Sequence, residues 1–163
     1  MRAADIVLAG RRATRSRMNA LYRRAIGITT PLPMLGEPLV CLRNCRKYGL
    51  FNGAIYYASR DLHEGDATVG VSTDGGDIEV HAHFLLPGQE DDQLDLPPGG
   101  WMTAFAFGYA LTVHKAQGSE FDKVLLIDEW FNDDRAQWLY TAITRAKQRI
   151  VIARSGNSVV AQS

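Results

Sequence analysis

The stretch YALTVHKAQGSEFDKVLLIDE, Tyr109 to Glu129, decides how this chain is read. A loop rich in hydroxyl and basic groups (Thr112, His114, Lys115, Gln117, Ser119), with Gly118 at its bend, runs into the apolar segment KVLLID and two carboxylates. A short apolar run bounded by polar turns reads as a buried strand of a parallel sheet. The loop then sits at the carboxyl end of the preceding strand, MTAFAFG, where open α/β folds bind ligands. Backbone amides, hydroxyls and a lysine suit phosphate oxygens. A plainer reading has Thr112 capping a short helix, His114 closing a local hydrogen bond and Lys115 solvated. Pattern alone leaves both open.

Working outward, a helix is predicted from about Asp134 to Ala146, followed by a strand at RIVIAR. In WLYTAITRAKQRIVIA the spacing puts Leu139, Ile143 and Tyr140 on the buried face. Arg145, just before the last strand, either reaches into a cleft or is solvated and salt-bridged. At the other end of the chain, DIVLA (Asp5 to Ala9) is a short buried strand. The helix after Gly10 places Ala13, Met18, Leu21, Tyr22 and Ala25 on one face, with Gly27 as its stop.

Between these pieces the grammar changes. EPLVCLRN, GAIYYASRDL, ATVGVST and IEVHAHFLL are four β-rich runs divided by turn signals such as Asn52-Gly53 and Asp74-Gly75-Gly76. Such spacing suggests a small barrel. The acidic GQEDDQLDLPPGG reads as a polar linker closing it. Neither α/β piece is large enough to bury a core alone. The predicted architecture is therefore a discontinuous α/β domain, residues 1–35 and 101–163, with a β-barrel inserted at 36–100.

Composition narrows the partners only locally. The 163 residues hold 18 basic and 18 acidic side chains, so net charge points to no partner. Arg11 to Arg24, however, contains six arginines and no acid, a field that would steer an anion. No apolar run reaches membrane-spanning length, and two cysteines are too few for a disulfide scaffold, so a reduced, cytoplasmic setting is expected. A metal site from Cys41, Cys45, His63, His81 and His83 is disfavoured by the cysteine spacing. His81 and His83 share one strand face and are expected to be exposed. Trp101, Phe105 and Phe107 are expected in the core, and one of Tyr56 and Tyr57 is expected to be exposed and able to stack on a base.

YALTVHKAQGSEFDKVLL and LYTAITRAKQRIVI resemble motifs V and VI of superfamily-1 helicases. CLRNCRKYGLFNGAIY is similar to the segment that opens the β insert in their RecD-like branch, and VLAGRRATRSRMNAL resembles motif IV with its following helix. The resemblance covers nearly the whole chain in order. It implies the second RecA-like motor domain of an ATP-dependent DNA helicase, of P-loop NTPase type, carrying an inserted SH3-like barrel. Motif by motif, it implies single-strand contacts by Thr112, His114 and Ser119, with Lys115 and Asn44 beside them. It implies nucleotide contacts by Gly118 and Glu120, a phosphate-facing arginine at Arg12 or Arg15, and an arginine finger at Arg145. Tyr140 and Thr141 would support that finger. Asn52-Gly53 serves equally as a β-turn. ATP and Mg2+ are implied for the full-length protein and not for this chain alone. The implied partners are single-stranded DNA, an N-terminal RecA-like domain, and a nuclease or recombination complex.

The departures define the expectation further. The phosphate-cradling G-x-x-x-x-G-K-[ST] loop is missing, since no Gly-Lys pair occurs anywhere. Asp128 and Glu129 resemble a magnesium-holding pair, but they follow motif V and so lie in the wrong domain for that role. The expectation is half a motor, inactive alone and cut from a longer chain. The alternative is a nucleic-acid-binding or protein-interaction module without ATPase activity.

Overall fold

The computed structural model describes residues 4–86, 89, 96–129, 134–154 and 157–162. They form two compact units, one of residues 1–22 with 109–163 and the other of residues 23–108.

The first unit is built on a five-stranded sheet. Its strands are β1 (Ile6–Ala9), β7 (Ala110–Thr112), β8 (Phe121–Asp128), β9 (Ala146–Arg154) and β10 (Asn157–Gln162), in the order β10-β9-β8-β1-β7. β7, β1, β8 and β9 run parallel, and β10 returns antiparallel along β9. All four residues of β1 are buried, as a central parallel strand covered on both faces requires. Two helices accompany the sheet, α1 (Arg12–Ala25) after β1 and α2 (Arg135–Ile143) before β9. Asp134 caps α2 by accepting a hydrogen bond from the Gln137 amide.

The second unit is a closed barrel of β2 (Pro38–Cys41), β3 (Ile55–Ala58), β4 (Thr68–Thr73), β5 (Gly76–Phe84) and β6 (Thr103–Phe107). β5 alternates as a half-buried strand should, with Val80, Ala82 and Phe84 inward and Glu79, His81 and His83 outward. Phe105 and Phe107 are core residues, and Tyr56 turns its ring edge to Phe105 while Tyr57 is exposed.

Several expectations need correction. The run at 103–107 does not belong to the α/β sheet. It pairs with β2 and β5 and closes the barrel, and the sheet gains β7 and β10 instead. An apolar run without period fits either setting, so tertiary pairing decides. Trp101 is 43% exposed, because it precedes β6 and sets its ring against His81 outside the core. No helix follows Thr112, only consecutive turns through Gly118. On α2 the buried residue is Ala142, while Ile143 and Tyr140 are exposed. The acidic run 90–95 lies outside the described residues.

The buried face of α1 is the largest surprise. Leu21, Ala13 and Ala25 are exposed, whereas Arg15, Asn19 and Arg23 are buried at helical spacing. Asn19 exchanges hydrogen bonds with the backbone of Ala110, donating at 3.2 Å and accepting at 2.9 Å. Arg23, in the barrel unit, meets Glu37 through two bonds of 2.7 and 3.0 Å. It also donates to the carbonyls of Thr30 and Leu32 and lies 4.0 Å over the Phe107 ring. Glu37 in turn accepts from the Met34 amide at 2.8 Å. Just beyond, Gly27 at φ +84 lets the Gly27 and Ile28 amides reach the Arg24 and Arg23 carbonyls, a Schellman stop.

Because both partners are buried, Glu37→Ala strands a guanidinium out of water and should cost about 3–5 kcal/mol in urea unfolding. The double variant Arg23→Met/Glu37→Leu should recover most of that loss. Additive losses in the double variant would show that the two side chains act independently.

Candidate nucleotide and nucleic-acid interface

The parallel pairing sets the geometry of the loop at 113–120. Leu111 lies level with Leu8, and Leu8 with Leu126. Phe121, where β8 begins, is five positions earlier than Leu126, about 16 Å down the strand. The loop must therefore travel from the carboxyl end of β7 back to the amino end of β8.

Buried Val113 and Ala116 hold it against the unit. The Val113 amide donates to Ala9, the Ala116 amide to the Thr112 carbonyl, and the Lys115 amide to Thr112 Oγ1 at 3.3 Å. His114, Gln117, Gly118 and Glu120 are exposed. Gly118 has φ +85, a conformation L side chains avoid, so its identity is explained by the turn itself. The Ser119 amide closes that turn on the Ala116 carbonyl.

At the far end the loop meets Arg145. The Arg145 guanidinium donates to the Ser119 carbonyl at 3.1 Å, to the Thr141 carbonyl at 3.2 Å and to Thr144 Oγ1 at 3.1 Å. The Arg145 carbonyl accepts from the Phe121 amide at 2.8 Å, so its backbone is stitched to β8 as well. All three side-chain acceptors are neutral oxygens. Glu120 instead pairs with Lys147 at 3.3 Å in the open.

The expected site thus divides. Gly118, Ser119, Glu120 and Arg145 gather at the amino end of β8 and β9. Thr112, His114 and Lys115 begin at the carboxyl end, where α1 also starts with Arg12. The expectation that the whole loop lies at the carboxyl end is corrected by this register. Arg15, one turn into α1, is 8% exposed and has no side-chain hydrogen bond or ion pair among the described residues. Asn44 belongs to the barrel unit, where its Oδ1 accepts from the Asn52 amide at 2.7 Å and braces a turn.

The two carboxylates after β8 are committed elsewhere. Glu129 accepts hydrogen bonds from the amides of Gly10 and Arg11 at 2.9 and 2.8 Å and from the Thr14 hydroxyl, capping α1. Sequence offered no sign of this, since cap and helix are over a hundred residues apart. One oxygen of buried Asp128 accepts from both Arg135 at 2.6 Å and Arg154 at 2.5 Å. Burial would push this carboxyl up, but the two arginine hydrogen bonds outweigh it and hold the group below the usual aspartate range.

With the geometry in view, the class is plain: a RecA-like parallel sheet whose chain is interrupted by a closed barrel. Residues 107–153 match the UvrD-like helicase C-terminal domain. The RecBCD enzyme subunit RecD of Buchnera aphidicola subsp. Schizaphis graminum is 25% identical over 134 residues, covering 81% of this chain and 19% of the relative. RecD of the Acyrthosiphon pisum strain is 27% identical over 120 residues, covering 72% and 17%. The chain therefore spans about a fifth of these relatives' length. A Pif1 helicase from Bacteroides, solved with ADP-AlF3 and single-stranded DNA, shares the fold with a TM-score of 0.60 at 18% identity, covering 93% of this chain and 40% of that one. Over residues 107–153 the chain is similar to the C-terminal domain of UvrD-like helicases, and over most of its length it resembles part of RecD.

A carboxyl held below its unfolded value contributes stability above that value and loses it as pH falls through the folded one. Asp128→Asn should therefore lower stability at neutral pH by about 1–3 kcal/mol. It should also flatten the fall in melting temperature on acidification below about pH 4. An unchanged acid limb would place the acid sensitivity in other carboxylates.

Proposed function

We propose that this chain is the second motor domain, with its inserted SH3-like barrel, of an ATP-dependent DNA helicase. It supplies single-strand contacts and an arginine finger to an ATP site completed by an N-terminal RecA-like domain that carries the phosphate loop. The observation that carries this reading is Arg145, whose charge is parked on neutral oxygens at the end of the motif V loop. Such a guanidinium is free to exchange carbonyl partners for phosphate oxygens, which it binds in a planar fork.

The residues gathered at the amino end of β8 and β9 fit a nucleotide's polyphosphate on that ground, with Arg145 as the phosphate-facing cation and Glu120 and Gly118 beside the ribose, whereas the desolvated Arg15, one turn into α1 from the carboxyl end of β1, lies away from that cluster. ATP supplies the transferable phosphoryl group, and Arg145 stabilises charge spread over its oxygens. Mg2+ belongs to the partner domain's carboxylates, since Asp128 is clamped by two arginines and Glu129 caps α1. Thr112, His114 and Lys115 meet the single-strand backbone at the carboxyl end of β7, and Asn44 is a separate contact within the barrel unit. Ser119 acts through its carbonyl as the seat of Arg145. The RecD relatives are subunits of the RecBCD enzyme, which supports assembly with a nuclease or recombination complex. No helix among the described residues is long and apolar enough to cross a membrane.

In the parent protein, Arg145→Ala should lower ATP turnover by about a thousandfold or more while leaving the melting temperature and most DNA affinity in place. Arg145→Lys should rescue poorly. A turnover rate unchanged in Arg145→Ala would remove the finger and the nucleotide cleft with it.

The 163-residue chain alone should hydrolyse no ATP and should bind oligothymidine weakly, with affinity falling steeply as salt rises. Thr112→Ala/His114→Ala should weaken that binding further in a fluorescence anisotropy titration. Robust turnover by the chain alone, or no binding at low salt, would overturn the assignment.

A further inference from the structure

The barrel presents an aromatic ring that its own folding does not explain. Phe51 is 67% exposed, yet the turn beneath it is held at many points. Cys45 and Leu50 are buried and bridge each other through two backbone bonds of 2.9 and 3.1 Å. The Phe51 amide donates to Tyr56 Oη at 3.1 Å, and the Phe51 carbonyl accepts from Ala54 at 3.1 Å. The Asn52 amide is taken by Asn44, and the Cys45 thiol donates to the Gly100 carbonyl at 3.2 Å. A large apolar ring fixed in water costs free energy, and a fixed backbone lowers the entropy lost when something covers it.

Its surroundings indicate what covers it. Between Pro38 and Ser59 the chain has no Asp or Glu, but it carries Arg43, Arg46 and Lys47. All three cations are exposed, on and beside the 3-10 turn at Arg46–Tyr48 that the Cys45–Leu50 bridge closes. Arg46 has no acidic partner among the described residues. Lys47 Nζ lies 4.9 Å from the centre of the Tyr48 ring. Gly100 packs beside Arg46 and leads into half-exposed Trp101. Rigid exposed aromatics interleaved with exposed cations are what single-stranded nucleic acid binds, by stacking bases and pairing phosphates. An apolar protein surface would leave the cations at these positions without a counter-charge.

We infer that the Arg46–Phe51 turn is a base-stacking contact for single-stranded DNA, with one base on Phe51 and the flanking phosphates on Arg46 and Lys47. This rests on the DNA-binding reading above and adds to it a base contact lying wholly within the barrel unit.

The experiment is anisotropy on the full 163-residue chain with two labelled probes of equal length, oligothymidine and an abasic sugar-phosphate oligomer. Phe51→Ala should weaken oligothymidine binding about tenfold and leave the abasic probe unchanged. Phe51→Trp should restore affinity. Arg46→Ala should weaken both probes and lower the slope of log affinity against log salt by about 0.7. Equal effects of Phe51→Ala on the two probes, or none on either, would overturn the stacking contact. If Thr112→Ala/His114→Ala still weakened binding in that case, the DNA-binding reading would stand without it. Failure of the unsubstituted chain to bind either probe would overturn both.

Discussion

Parallel pairing of β7, β1 and β8 is the constraint on which the candidate site depends. Parallel neighbours cannot be joined by a tight hairpin, so the chain has to return the length of the strand. Here it does so in eight residues, with no helix in between. One short loop therefore has its two ends at opposite edges of the sheet. Its first residues, Thr112 to Lys115, carry hydroxyl, imidazole and ammonium groups toward one edge, and its last, Ser119, offers a carbonyl to Arg145 at the other. Buried Val113 and Ala116 keep the span from collapsing into a free coil. A displacement at one end has few soft joints in which to dissipate.

Charge burial is handled the same way in each unit. Arg23 and Glu37 satisfy one another and four surrounding backbone or ring partners, and Asp128 draws two arginines to one oxygen. Glu129 uses backbone amides and a hydroxyl instead of a cation. Buried ion pairs of this kind add little net stability, but the loss of a single member leaves a desolvated charge behind, and Asp128 already holds its other oxygen buried without a hydrogen bond. They act as registers for the loops around them more than as glue.

Much of this was legible in the chain. The run DIVLA, the alternation of IEVHAHF and the Gly-rich turns announced a sheet and a barrel because period and punctuation are local properties. The motifs around Thr112 and Arg145 were legible as residue types. What escaped was set by distance along the chain. Nothing near Thr103 tells a barrel strand from a sheet strand, since TAFAF is buried on both sides in either place. Nothing near Asn19 or Arg23 marks them as the inward face of α1, because their partners lie up to ninety-one residues away, and buried Arg15 has no side-chain partner among the described residues to mark it. Hydrophobicity alone does not separate Trp101, just ahead of its strand, from a core residue. The return path of the loop after Thr112 depends on strand register, which its own residues do not carry.

The cap on α1 has one more consequence. The first turn of a helix after a parallel strand is the place where RecA-like sheets receive phosphate, through amides that point outward and a favourable dipole. In this sheet that receptor is already filled from within by Glu129. Any polyphosphate approaching the β1–α1 junction meets a fixed negative charge where a cradle would otherwise be. This face of the sheet is thereby closed to acting as a nucleotide's holder. A carboxylate far from the first helix in sequence thus decides what that helix's amino terminus can hold.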